Sequence, residues 1–369
     1  MKKYFILLLI LFLVVACDKN ELVEKNGIFY FSTESKPFTM KNYTTKHKNG
    51  KIKTKADYYE GIIVGGVYQY LENGQLESYT RYDRNILSSR IDFINKTYTE
   101  FYKNGKVKME TGYKSDFEEL YINKEHYNGI YKEYDEDGFL IKEAYNKNGK
   151  YEGLYKKYYK NGQVMLEGSC VQGELEGIIK EYYEDGKLKL EVNLKRGLYH
   201  GIFKEYDKNG KLKMLSTYEN GYIRKSINYN SNIYREYTGI EILKIEAQYR
   251  NNKFDGYYKE FYDGFFLRVE SNYKDGKLNG LYREYFKSGE LKIESNYKGG
   301  KLDDLYKEFY DDRQDYSIRG HYGNTSPIKV KINYKNGIKH GIHIEYDKNG
   351  KVKIADNYKN GKKVNIFGF

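Results

Sequence analysis

Along most of the chain, aliphatic and aromatic residues alternate with charged ones in short runs, and each run closes on a glycine. The clearest run is GIIKEYYEDGKL, Gly177 to Leu188. GLYKKYYKNGQV lies 24 residues upstream, GIFKEYDKNGKL lies 24 downstream, and GLYREYFKSGEL follows further on. Period-two alternation of branched and aromatic residues predicts a strand. Glycine recurs every 11 to 13 residues, which interrupts any helical stripe.

With position 1 set at the opening glycine, units start at Lys41, Gly65, Lys96, Gly129, Gly153, Gly177, Gly201, Asn232, Gly256, Gly280, Asp304 and Gly341. Seven of the eleven intervals are 24 residues, so the extra residues of the other four read as insertions, near 86–95, 114–128, 222–231 and 311–333. In repeat proteins such insertions map to loops. Position 2 is aliphatic, position 3 aromatic, position 5 glutamate and position 6 aromatic. Tyrosine returns at position 18, and glycine at positions 10 and 21. Two glycine turns per unit leave two strands of about six to eight residues, and Asn-Gly and Asp-Gly supply the positive φ of tight hairpins.

Alternation puts positions 2, 4 and 6 on one face and positions 3 and 5 on the other. The expected fold is all-β: an elongated repeat array of stacked β-hairpins forming a single twisted antiparallel sheet over 41–369, held by neighbour-to-neighbour contacts. Tyr131, Tyr155, Tyr182, Tyr206, Tyr234, Tyr258, Tyr282 and Tyr306 make the candidate stacking and binding ladder. Such rings bury area while their hydroxyls reach polar groups.

The pattern G-[IL]-Y-K-E-Y-Y-x-[ND]-G-x-[LV], with its second tyrosine and turn glycine, resembles the bacterial variant of the MORN repeat. The resemblance covers roughly Lys41 to Phe369. It implies stacked hairpins that serve as a scaffold, a membrane-proximal tether or a binding surface. Similar bacterial proteins carry YwqK-type antitoxin labels, which adds neutralisation of a cognate toxin as an alternative.

The chain starts differently. Met1-Lys2-Lys3 is followed by twelve uncharged residues, Tyr4 to Val15, and then Ala16-Cys17. A basic start, a short apolar run and a small residue describe a secretory signal, too short to span a bilayer as a helix. The cysteine makes it similar to a bacterial lipobox, with cleavage between Ala16 and Cys17 and lipid on Cys17. Residues 1–16 are then the signal peptide and 17–40 a tether. The implied location is the cell envelope, the membrane being a partner through the lipid and the other partner a protein or an envelope glycan.

Composition adds exclusions. Loss of Lys2 and Lys3 lowers the net charge from +12 to +10, and acidic residues alternate with basic ones. Nucleic-acid binding asks for a concentrated basic patch, which is lacking. Besides Cys17 the only cysteine is Cys170, read as a packing residue without a disulfide partner. Of the six histidines only His340 and His343 lie close, on opposite faces of a strand, so no metal or cofactor is expected. The carboxylates repeat from unit to unit, whereas a glycosidase needs one unique pair, and no nucleophile motif is present. The expectation is a non-enzyme.

Overall fold

The computed structural model describes residues 22–32, 34–114, 122–311 and 326–364. Ala16 and Cys17 lie outside them. The fold is nearly all β, and β3 to β30 make an antiparallel sheet of 28 strands that is not closed into a barrel. The chain divides into two compact units, Met1–Gly173 and Glu174–Phe369.

Unit 1 opens with a two-stranded hairpin, β1 (Leu22–Lys25) and β2 (Ile28–Phe31). Then follow β3 (Met40–Lys46), β4 (Ile52–Tyr59), β5 (Ile62–Tyr70), β6 (Leu76–Asp83), β7 (Ile86–Asp92) and β8 (Thr97–Phe101). The last five are β9 (Val107–Tyr113), β10 (Tyr127–Tyr134), β11 (Leu140–Lys147), β12 (Lys150–Tyr158) and β13 (Val164–Val171). A 3-10 turn, Lys124–His126, precedes β10. The segment read as a tether contains β1 and β2, and its rings pack on the first repeat: Phe29 on Tyr58 at 5.4 Å, Phe38 on Tyr43 at 5.3 Å.

Unit 2 begins with β14 (Glu174–Tyr182), β15 (Leu188–Lys195), β16 (Leu198–Tyr206), β17 (Leu212–Glu219), β18 (Tyr222–Asn228) and β19 (Ile233–Thr238). It continues through β20 (Ile242–Arg250), β21 (Lys253–Phe261), β22 (Leu267–Lys274), β23 (Lys277–Tyr285) and β24 (Leu291–Lys298). β25 (Lys301–Leu302) and β26 (Asp304–Phe309) both pair with β24, as two pieces of one strand. β27 (Ile328–Lys335), β28 (Ile338–Tyr346), β29 (Val352–Lys359) and β30 (Lys362–Val364) complete it. β3 pairs only with β4, and β30 only with β29.

The two turns of a repeat differ. At positions 20 and 21 both residues have positive φ, as at Asn148 (52°) and Gly149 (77°). This is the two-residue I′ hairpin that matches strand twist. At positions 9 and 10 only the glycine is left-handed, and the preceding Asn or Asp accepts a hydrogen bond from the amide two residues on, as Asn161 Oδ1 does from Gln163 N at 2.9 Å.

At Gly153 the position-1 residue is no turn. Strand β12 starts three residues before Gly153 (φ 72°), and its register on β11 steps between Ala144 and Asn146, so the glycine sits in a bulge. Lys96 and Asn232, the last turn residues before β8 and β19, and Asp304 at the start of β26 also hold a left-handed backbone.

The insertions at 86–95 and 222–231, expected as loops, instead carry full strands, β7 and β18. Each pairs on both sides: β7 with β6 and β8, β18 with β17 and β19. One added antiparallel strand reverses the direction of every repeat that follows. It also exchanges the faces. In unit 1 the row Tyr68, Tyr79, Ile91, Tyr98, Thr111, Tyr131 runs from position 4 before β7 to position 3 after it. Tyr79, Ile91, Tyr98, Met109, Tyr113, Ile122 and Tyr127 form the buried core there. In unit 2 the row Lys204, Leu215, Ile227, Tyr234 makes the same exchange across β18.

Candidate functional site

On the position-3 side of each repeat the rings do not stand alone. Tyr151 lies edge-on between Tyr131 (5.6 Å) and Tyr155 (5.5 Å), and Phe254 between Tyr234 and Tyr258, both at 5.4 Å. The position-18 rings pack on them, as Tyr273 does on Tyr258 at 5.3 Å and Tyr297 on Tyr282 at 5.7 Å. Cys170, buried, takes the position-18 slot in its repeat.

Beside the position-3 residues sits a column that the repeat pattern had not signalled, position 16. It is occupied by Ala56, Thr80, Thr111, Ala144, Val192, Ser216, Ala247, Ser271 and Ser295, all buried. Only small size unites them. A larger side chain would force the rings on the adjoining strands apart.

The position-3 hydroxyls are committed. Tyr131 donates to Glu133 at 3.1 Å, Tyr234 to Glu236 at 2.8 Å and Tyr282 to Glu284 at 3.3 Å. A cation closes each group: Lys142 on Glu133 at 2.6 Å, Arg268 on Glu260 at 2.6 Å, Lys292 on Glu284 at 2.7 Å. Burial first, then the neighbouring carboxylate, raises the tyrosine pKa values; Tyr98 and Tyr306 reach about 12, and Tyr131, Tyr234, Tyr258 and Tyr282 are also raised. Burial works against ionisation of Glu133, but Lys142 and the Tyr131 hydroxyl hold it below the usual range.

The opposite side of each repeat is built from position 4 cations and position 15 glutamates. Arg235 meets Glu246 at 2.8 Å, Lys204 meets Glu191 at 2.7 Å, and Arg283 bridges Glu294 (3.1 Å) and Glu270 (3.3 Å). Position-6 tyrosines join them: Tyr134 donates to Glu110 at 3.0 Å and Tyr285 to Glu270 at 2.6 Å. Position 2 on this side is exposed. Ile130 is 61% accessible and Ile178 63%, with Leu154, Ile202, Leu281 and Ile342 also open.

The candidate ladder is therefore distributed. Tyr131 and Tyr155 in unit 1, and Tyr234, Tyr258, Tyr282 and Tyr306 in unit 2, are half-buried at position 3; Tyr182 and Tyr206 are half-buried at position 6. The face exchange at β18 brings Tyr206 and Tyr182 to the same side of unit 2 as Tyr234 and its successors. Position 7 contributes a link that the repeat pattern had not signalled. Tyr102 donates to the Tyr134 carbonyl (2.8 Å), Tyr183 to that of Tyr206 (2.8 Å), and Tyr262 to that of Tyr285 (2.7 Å). His47 makes the same bond to Tyr70 O at 2.8 Å.

His340 and His343 do not converge: His340 Nδ1 accepts from Asn360 N at 3.3 Å, while His343 Nε2 meets Glu345 at 3.0 Å. Among the described residues no group of three or more His, Cys, Asp or Glu side chains is placed to hold a metal ion.

The MORN repeat variant family model matches residues 94–115, 151–169, 175–196, 199–220, 278–298 and 339–360. These segments follow the units opening at Lys96, Gly153, Gly177, Gly201, Gly280 and Gly341. The chain carries MORN repeats in these six segments. The five later matched segments each begin in the strand that carries the position-1 residue and end near the next I′ turn, while the first begins in the turn before β8. No curated protein matches the chain. Among solved structures it is similar to the crystal structure of TcdB2-TccC3-Cdc42, at 12% identity and a TM-score of 0.16. That alignment covers 89% of this chain and 18% of the other, so the chain spans less than a fifth of that structure's length.

Proposed function

We propose that this MORN-repeat protein is a lipid-anchored, non-catalytic scaffold of the bacterial cell envelope, which holds a protein partner along its repeat rows. The observation that carries this reading is the open position-2 row. Ile130 and Leu154 in unit 1, and Ile178 and Ile202 in unit 2, are exposed at 24-residue spacing, flanked by fixed cation–glutamate pairs. Units two strands apart repeat every ten or so ångströms, about twice the strand spacing. A row of exposed aliphatic residues on a rigid sheet gives a partner several equivalent footholds, while the flanking charges set its register.

A photo-crosslinking residue placed in turn at Ile130, Leu154, Ile178 and Ile202 tests this. The reading expects one envelope protein to be captured from several of these positions. Capture from a single position, or from none, contradicts it. If the captured protein is a toxin, the scaffold serves as its neutraliser. For the anchor, a fatty-acid analogue should label the wild-type chain and leave Cys17→Ser unlabelled; a labelled Cys17→Ser chain removes the lipid from the account.

A further inference from the structure

The side of the sheet away from the buried core of unit 1 carries a row of alternating charge. Across β8 to β13 it reads Thr99, Glu110, Lys132, Glu143, Lys156 and Glu167. Lys132 and Lys156 each lie between two glutamates, and in unit 2 Arg283 lies between Glu270 and Glu294. Arg90, on the inserted strand β7, opens that row with a threonine on either side, Thr80 on β6 and Thr99 on β8. Its Nε is buried and meets no hydrogen-bond partner. Asp92, on the same side of β7, is held by the turn: Oδ1 accepts from Ile94 N at 3.0 Å and Asn95 N at 2.8 Å, and Oδ2 from Asn95 Nδ2 at 3.0 Å. Beside Arg90 the surface is closed, with Thr80 buried and Ser78 fully enclosed, its hydroxyl donating to Gln69 at 2.8 Å.

We propose that Arg90, Thr80 and Thr99 bind a tetrahedral oxyanion, phosphate or a phosphate monoester. Burying a guanidinium nitrogen strips its water, and only an acceptor makes good the loss. For Lys132, Lys156 and Arg283 that acceptor is at hand as a glutamate on the adjoining strand. At β7 both adjoining positions are hydroxyls, so a ligand supplies it. A guanidinium presents its donors as a flat fork that two oxygens of a phosphate or a carboxylate fill. Residues directly opposite on neighbouring strands have Cβ atoms about 5 Å apart, which places one hydroxyl on each side of the fork. A carboxylate has no further oxygen for those hydroxyls, whereas a phosphate group has. Arginine and hydroxyl side chains together are a recurrent phosphate-binding set. Tyr82 adds a third hydroxyl within range of the Arg90 charge: burial raises its pKa, Arg90 opposes that rise, and Glu24 adds to it. Strand β7 lies between repeats, so the site belongs to the insertion and not to the repeated columns. The inference goes beyond the scaffold reading and does not depend on it.

Arginine-selective NMR on the full chain tests this. Inorganic phosphate is added at constant ionic strength to protein carrying isotope-labelled arginine, and the Nε–H resonance of Arg90 is identified by its loss in Arg90→Lys. The expected result is a saturable shift of that resonance at millimolar phosphate, with the other arginine resonances unmoved. Methyl phosphate is the second arm, and whichever of the two saturates at lower concentration is the form the site takes. Acetate should saturate only at far higher concentration. Thr80→Val with Thr99→Val keeps both shapes, removes both hydroxyls and should weaken the apparent affinity about tenfold. An Arg90 resonance that ignores phosphate, or drifts only in step with the other arginines, overturns the proposal. So does acetate saturating before phosphate, or undiminished affinity in the double variant. If Arg90→Lys fails to fold, Thr99→Val marks the resonance by moving it, and the wild-type titration stands.

Discussion

Tyr131, Tyr234, Tyr258 and Tyr282 each do two jobs at residue scale: the ring covers a small neighbour and the hydroxyl ties down a glutamate. Both have consequences. Tyrosine pKa values raised on folding mean that the unfolded chain loses its phenolic protons first. Stability is therefore complete below the ordinary tyrosine value of 10.0 and is lost as pH rises toward the folded values, about 12 for Tyr98 and Tyr306. Tyrosinate absorbance should accordingly rise together with loss of sheet signal between pH 10 and 12; early, gradual ionisation with the sheet intact would contradict it. The serines at position 16 point the other way. Ser216, Ser271 and Ser295 each bury a hydroxyl without a hydrogen-bond partner, where Ala144 and Ala247 stand in sister repeats. Ser271→Ala should be neutral or stabilise by up to about 1 kcal/mol in denaturant titration. A loss of that size would mean the hydroxyl has a partner after all.

At the scale of the element, the bulge at position 1 explains why glycine opens most units. Lys96 instead closes the turn before β8, where at φ 55° its Cβ is carried in a left-handed backbone that costs about 1–2 kcal/mol. Lys96→Gly should recover part of that, roughly 0.5 kcal/mol after the added chain entropy, and raise the melting temperature. A lower melting temperature would show that the Lys96 side chain contributes more than its backbone costs. The same scale separates what the sequence made legible from what it hid. Eleven strand pairs of the repeats stand where the repeat columns placed them, while β27, the partner of β26, begins at Ile328 inside the segment read as the 311–333 insertion. The strands β7 and β18 were hidden because segments such as ILSSRID lack those columns; pairing on both flanks makes them strands. Position 16 escaped notice because its residues share volume and no chemistry. The tyrosine ladder could be listed from the sequence, but its sharing between two faces could not, since that depends on the inserted strands.

For the molecule as a whole, the account is that stability is spread over repeated columns and no residue is unique. Each repeat leans mainly on its neighbours, so damage should stay local. Tyr258 and Tyr282 are the fitting pair, equivalent in position, each packed on a position-18 ring and bonded to its own glutamate. Truncation of either ring should cost about 3 kcal/mol. An exposed aliphatic such as Ile178, changed to serine, should cost under about 0.5 kcal/mol, because it is 63% accessible. The most direct measurement is amide hydrogen exchange, read strand by strand, on Tyr258→Ala and Tyr282→Ala beside the wild-type chain. The account predicts losses of protection of similar size, each confined to the altered hairpin and the hairpins beside it, with β14 to β16 unchanged. Protection lost throughout unit 2 from one substitution, or from one of the two and not the other, would contradict it.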